Sequence, residues 1–167
     1  IPGMQSIVTA VYDVPVGEVW SRESIAKLKK QVEDAGLGFD VIESIPVHED
    51  IKLGKPTRDK YIENYCENIR RVAEAGIKCI CYNFMPVFDW TRTDLAMPLP
   101  DGSKAMAYDG KICEGLTAEQ MFDYIAKNSN GFEMPGWELN RRDEITAEIK
   151  KFSEMTADDL RANYKYF

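Results

Sequence analysis

Two stretches of this chain repeat one another at an offset of 40 residues, and that repeat restricts the fold more than any other feature. Ala35-Gly-Leu-Gly-Phe-Asp-Val-Ile-Glu-Ser-Ile-Pro-Val47 and Ala75-Gly-Ile-Lys-Cys-Ile-Cys-Tyr-Asn-Phe-Met-Pro-Val87 each read as a helix end, a Gly at the C′ position, a buried strand and a Pro-Val that opens a loop. A third Pro-Val, Pro15-Val16, follows an earlier strand-like run, Ser6-Ile-Val-Thr-Ala-Val-Tyr12. Apolar residues at helical spacing lie between the strands. Ile25, Leu28, Val32 and Ala35 follow a candidate N-cap at Ser21, and Ile62, Tyr65, Ile69, Val72 and Ala73 follow one at Thr57.

Strand, helix, strand, helix, strand predicts a parallel α/β sheet whose strands are covered on both faces. No GxGxxG follows the first strand, which disfavours a dinucleotide-binding start and leaves a (β/α) barrel or a flavodoxin-like open sheet. The reading gives about three βα units over residues 1–85. Residues 86–116 form a long loop or insertion around the turn signal Pro100-Asp-Gly-Ser103, and helical segments follow over 117–167. Thr117-x-x-Gln120 is a capping box ahead of Met121, Phe122 and Ile125; Ile145, Ile149 and Phe152 mark a second segment, and Leu160, Tyr164 and Phe167 a third. Only three strands are legible. A closed eight-stranded barrel takes about 250 residues, so the 167 here read as a partial TIM (β/α)8 barrel. The strand-like start and helix-like finish suggest a piece cut from a longer enzyme.

Composition narrows the function. The 21 Lys+Arg against 28 Asp+Glu give a net charge of −7, a sign that repels phosphate backbones and argues against a nucleic-acid partner. No apolar run approaches the roughly 20 residues of a membrane-spanning helix, and no leader pattern opens the chain, so the expected compartment is the cytoplasm. Cys66, Cys79, Cys81 and Cys113 show neither CxxC spacing nor disulfide-scaffold density. Cys79 and Cys81 read as small core residues.

In parallel α/β folds functional groups gather at the carboxyl ends of the strands. Aligning the Pro-Val landmarks puts Tyr12, Glu43 and Asn83 at equivalent places, with Ala10, Val41 and Cys81 one layer deeper on the same face. Glu43 and Asn83 then either face a site or hydrogen-bond neighbouring backbone. The loops add Glu18 and Trp20, then His48-Glu-Asp50, then Asp89-Trp-Thr-Arg-Thr-Asp94. His48, the only histidine, is either structural or a contact for a polar ligand. Arg92 offers a planar fork for a carboxylate, or pairs with Asp89 or Asp94. Trp20 and Trp90 line a sugar pocket or pack beneath the loops. One His and scattered acids make no metal cluster, so these residues suit binding of a small polar molecule.

Longer motifs go further. Gly17-Glu-Val-Trp20, Glu43-Ser-Ile-Pro-Val-His-Glu-Asp-Ile-Lys52, Cys81-Tyr-Asn-Phe-Met-Pro-Val-Phe-Asp-Trp-Thr-Arg-Thr-Asp-Leu95 and Leu99-Pro-Asp-Gly-Ser-Lys104 closely resemble the mannonate dehydratase family. Met134-Pro-Gly-Trp-Glu138 and Leu160-Arg-Ala-Asn-Tyr-Lys-Tyr-Phe167 resemble later landmarks of it. The resemblance implies a metal-dependent TIM barrel related to the xylose-isomerase-like enzymes, converting D-mannonate to 2-keto-3-deoxy-D-gluconate and water with Mn2+ or Fe2+. It also implies His, Cys, His and Asp metal ligands on strands beyond Phe167, so no residue here is assigned as a ligand or as the acid or base. His48, Asn83, Arg92, Trp20, Trp90, Glu43 and Glu18 are the candidate contacts to a sugar-acid substrate. A homodimer or larger homo-oligomer is expected, with Met97, Met106 and Tyr108 as candidate subunit contacts. The competing readings are a half-barrel remnant without activity and a metal-dependent sugar isomerase.

Overall fold

Each repeat begins with a helix that ends as its sequence predicts. The computed structural model, which describes residues 3–86, 92–128, 131 and 139–167, shows helix α1 (Arg22–Asp34) closing with Gly36 at φ +73°. Gly36 N–H bonds to Glu33 O at 2.9 Å and Leu37 N–H to Val32 O at 3.2 Å. Helix α3 (Arg58–Glu74) closes in the same way, with Gly76 N–H on Ala73 O and Ile77 N–H on Val72 O. These are Schellman turns, in which a residue free to adopt positive φ satisfies the last helical carbonyls and turns the chain into the next strand.

Strands β1 (Ser6–Thr9), β2 (Gly38–Glu43) and β3 (Cys79–Cys81) form a parallel sheet in the order β1-β2-β3. That order is sequential, unlike the 2-1-3 start of a flavodoxin-like sheet. Register sets Val8 beside Val41 and Val41 beside Cys79, then Thr9 beside Ile42 and Ile42 beside Ile80. The alignment of repeats paired Val41 with Cys81 instead. The ladder is shifted from it by two residues, and Glu43 is the neighbour of Cys81. A shift of two keeps each side chain on its face.

Helices α1 and α3 lie side by side. Arg22 forks onto Glu74 at 2.8 and 3.2 Å, and Lys29 Nζ donates to Ala75 O at 2.7 Å. Ile25, Val32 and Val72 from these helices share one core with Ile42, Trp20, Ile45, Ile51 and Ile77. Burying each such aliphatic side chain contributes roughly 1.5–3 kcal/mol. The sheet face carrying Val8, Cys79 and Glu43 is exposed instead. Cys79 is therefore not the core residue expected from sequence, and Cys81 is only half-buried. On α3 the buried row is Tyr65, Asn68 and Val72, whereas Ile69 is 40% exposed and Ala73 is exposed too, against the predicted stripe.

The chain divides into two compact units: residues 1–84 with Ala157–Phe167, and Met85–Thr156. The first adds the short helix α2 (Glu49–Lys52) and receives α7 (Ala157–Tyr166). Asn163 Nδ2 donates to Lys52 O at 2.9 Å, Tyr166 Oη to Asp59 Oδ1 at 2.8 Å, and the Arg58 guanidinium lies 3.6 Å above the Tyr166 ring. The helical tail expected over 117–167 is thus shared between the units.

In the second unit the described part of the 86–116 loop or insertion carries regular elements. Strands β4 (Asp94–Pro98) and β5 (Lys104–Ala107) pair antiparallel around the Pro100–Ser103 turn, and the short helix α4 (Gly110–Cys113) follows. In the turn, Asp101 Oδ1 accepts the Ser103 N–H at 3.0 Å and its hydroxyl at 2.7 Å; these bonds hold the carboxyl below its ordinary range. Helix α5 (Ala118–Asn128) starts with the predicted capping box. Gln120 N–H donates to Thr117 Oγ1 at 3.2 Å, and Thr117 N–H donates to Gln120 Oε1 at 2.9 Å. Phe122 and Ile125 meet Ile145 of α6 (Arg142–Ser153) in a separate small core. Met97, Met106 and Tyr108 are exposed.

Candidate functional site

Parallel neighbours send their following loops out at one edge of a sheet. In the first unit that rim is made by residues 10–21, 44–57 and 82–84.

The first loop is held by a turn, Glu18 N–H to Pro15 O at 3.1 Å, and by Gly17 at φ +87°. A Cβ on Gly17 would stand 2.7 Å from His48 Cδ2 and 2.7 Å from Tyr61 Cδ1. Only glycine permits this approach, which seats the first loop against the second. His48 occupies the N-cap of α2, where its Nδ1 accepts the Asp50 N–H at 3.0 Å. Its ring stacks on Tyr61 with centroids 3.6 Å apart and an interplanar angle of 9°. An Nδ1 used as acceptor leaves the proton of the neutral ring on Nε2, which makes Nε2 a donor. His48 thus has a structural duty and a side chain still 23% exposed. The predicted cap Thr57 stands before α3, but its hydroxyl donates to Asp50 Oδ2 at 2.6 Å instead of capping the helix.

The remaining candidates divide. Glu18 and Asn83 are exposed on the rim and Glu43 is exposed at the carboxyl end of β2, where Tyr12 Oη donates to Glu43 O at 3.4 Å. Trp20, read as pocket wall or as packing, is packing: it is 2% exposed and belongs to the core. Arg92 is a half-buried residue of the second unit, and Trp90 lies outside the described residues. Beyond β3 the chain runs into an aromatic group, with Tyr82 Oη 3.2 Å from Tyr164 Oη and Phe84 5.2 Å from the Tyr164 ring. Tyr65 packs edge-on to Tyr82 and Phe167, and its buried hydroxyl has no hydrogen-bond partner among the described residues. Burial pushes that hydroxyl far above its ordinary value, with Tyr82 and Cys66 adding to the effect.

Partial desolvation, then Cys79 and Glu43, raise the Cys81 thiol, which therefore stays protonated. Among the described residues no three His, Cys, Asp or Glu side chains come together to hold a metal. The residues missed in the sequence are Tyr61, Asn64, Asn68 and Arg71 on α3. The signal for the last three was present as Asn-x-x-x-Asn-x-x-Arg, a polar row at helical spacing beside an apolar one.

Comparison with known proteins places the molecule. The family profile described as D-mannonate dehydratase (UxuA) matches residues 1–167. The chain belongs to the D-mannonate dehydratase family. Within this family, the mannonate dehydratase of Thermotoga petrophila is 52% identical over 167 residues, all of this chain and 46% of that protein. That of Streptococcus suis is 54% identical over 169 residues, all of this chain and 44% of that protein. The crystal structure of mannonate dehydratase from Streptococcus suis serotype 2 matches with a TM-score of 0.79 at 50% identity, covering 99% of this chain and 42% of the other. The chain thus spans less than half the length of these relatives. Among the described residues no helix is long and apolar enough to cross a membrane.

Proposed function

We propose that this chain forms the substrate-binding side of a D-mannonate dehydratase, which removes water from D-mannonate to give 2-keto-3-deoxy-D-gluconate. The family match over the whole chain, to relatives bearing that name, carries the reading. We read the sheet as the first three βα units of a TIM barrel. Sequential strand order and crossover helices that pack side by side are what a singly wound barrel requires, since a doubly wound sheet places helices on both faces.

Dehydration needs a base at C2, a Lewis acid for the developing enediolate and an acid for the departing C3 hydroxyl. The described residues do not fit a metal cage, so Mn2+ or Fe2+ belongs, on the resemblance, with portions of the family this chain does not span. The part of this chain is to bind and orient. His48, Glu18, Glu43 and Asn83 are read as polar contacts to the polyol and carboxylate of the substrate. Arg92, as a carboxylate fork, and Trp90, as a wall, stand on the sequence alone. A homo-oligomer in the cytoplasm completes the reading.

The test joins this chain to the remaining part of the Thermotoga petrophila relative and supplies D-mannonate. A 2-keto-3-deoxy sugar acid should form, with activity lost to a chelator and restored by Mn2+. A ketose isomer, or no turnover by a folded, metal-loaded protein, refutes the assignment.

A further inference from the structure

The side of α3 that meets the first rim loop is polar, although Asn68 is buried and Asn64 and Arg71 are half-buried. Asn64, Asn68 and Arg71 follow at i, i+4 and i+7, and each spends its side chain on the backbone of residues 17–20. Asn64 Nδ2 donates to Gly17 O at 2.8 Å, Asn68 Nδ2 to Glu18 O at 3.1 Å and Arg71 Nη1 to Trp20 O at 2.9 Å. Asn68 Oδ1 also accepts the Trp20 N–H at 2.7 Å. Asn68 is only 3% exposed, so its amide uses one donor and one acceptor on the same loop. Arg71 is itself held by Glu67 at 2.8 Å.

Closing this loop does not require so many bonds. It already has its own Glu18 N–H to Pro15 O turn and an anchor in the buried Trp20. Buried amides and a guanidinium are costly unless fully satisfied, and apolar side chains would cover the loop without fixing its carbonyls. The bonds fix the backbone of residues 17–20, and two consequences bear on the rim. One is the direction of the exposed Glu18 side chain. The other is the seat of Gly17 against His48. We infer that the Asn64–Asn68–Arg71 row is a positioning element for a polyhydroxy-acid substrate, fixing Glu18 directly and His48 through Gly17. This inference rests on the dehydratase reading. None of the three residues touches substrate; they act through the loop.

Asn68→Asp isolates the effect because it keeps shape and the acceptor for Trp20 N–H, and replaces only the donor facing Glu18 O. Protonating the introduced carboxyl restores that donor. In the full-length chimera described above, the variant should raise KM for D-mannonate about tenfold at pH near 8, the size of one lost charge-opposed hydrogen bond. It should lower kcat much less. Relative to the unsubstituted protein at each pH, KM should recover as pH falls towards about 5, the range where a carboxyl raised by burial protonates. A second, milder variant, Asn64→Ser, loses only the Gly17 O bond and should raise KM about threefold with an unchanged circular dichroism spectrum.

An unsubstituted chimera that turns over, with Asn68→Asp matching it in KM at every pH, overturns the inference and leaves the dehydratase reading intact. A fall in kcat and stability together, without recovery at low pH, also overturns it, since that is the mark of a structural role. An unsubstituted chimera that never turns over sinks the dehydratase reading instead. The positioning inference, which rests on that reading, then falls with it, whatever amide exchange shows at residues 17–20.

Discussion

Gly17→Ala measures how tightly two rim loops are seated on each other. At φ +87° an alanine is strained whatever the space around it, at about 1–2 kcal/mol for left-handed backbone. Its Cβ would also stand 2.7 Å from both His48 Cδ2 and Tyr61 Cδ1, ring atoms that cannot swing aside without breaking their stack. Overpacking of that kind costs about 1–3 kcal/mol, for a total of roughly 2–5 kcal/mol. Gly36→Ala is the control. Its φ is +73° and nothing lies within 4 Å of the added carbon, so it carries the backbone cost alone. Urea unfolding of the full-length chimera, followed by tryptophan fluorescence, gives the two free-energy differences. Gly17→Ala should exceed Gly36→Ala by at least about 1 kcal/mol, and adding His48→Ala should shrink the excess because one of the two obstacles is gone. Equal losses from the two glycines would refute the close seating of the loops.

Two further predictions concern single groups. Tyr65→Phe removes a buried hydroxyl without a partner among the described residues and should leave stability unchanged or raise it by about 1 kcal/mol. Because the folded protein raises the Tyr65 value above the unfolded one of about 10, its contribution is complete below that pH and is lost as pH rises beyond it; alkaline urea titrations should show that loss in the unsubstituted protein and not in Tyr65→Phe. Thr117→Ala opens the α5 capping box and should cost about 1 kcal/mol, read as a drop in melting temperature, with no change in the first unit's amide protection.

What the sequence made legible was local. Gly36 and Gly76 announce two helix ends, Ser21 caps α1 through the Ser24 N–H at 3.0 Å, and the Thr117–Gln120 pair closes as its spacing predicts. Features set across long separations were not legible. Asn68 reads as a flaw in an apolar stripe until its partners, 48 and 50 residues away, are known. The hairpin escaped because Asp94-Leu-Ala-Met-Pro98 is short, carries Pro98 and has no β-branched residue, so cross-strand pairing supplies what propensity does not. Trp20 was ambiguous for the opposite reason: an aromatic in a loop suits a pocket and a core equally, and only burial separates them. The exposed positions of Glu43 and Asn83 at the carboxyl ends of their strands followed from the Pro-Val landmarks and that of Glu18 from its loop, whereas the α3 row behind them did not.

The route of the chain has a consequence for biosynthesis. The polypeptide leaves the first unit at Phe84 and rejoins it at Ala157, and the Phe84 ring lies 5.2 Å from Tyr164 and 5.8 Å from Phe167. Translation must therefore pass through Met85–Thr156 before α7 exists. At about 5–20 residues per second that delay lasts roughly 4–14 s. Throughout it the nascent chain displays Phe84 and one side of Tyr82 without Tyr164 and Phe167, the rings that later pack against them, so this apolar surface waits uncovered until the last helix emerges from the ribosome.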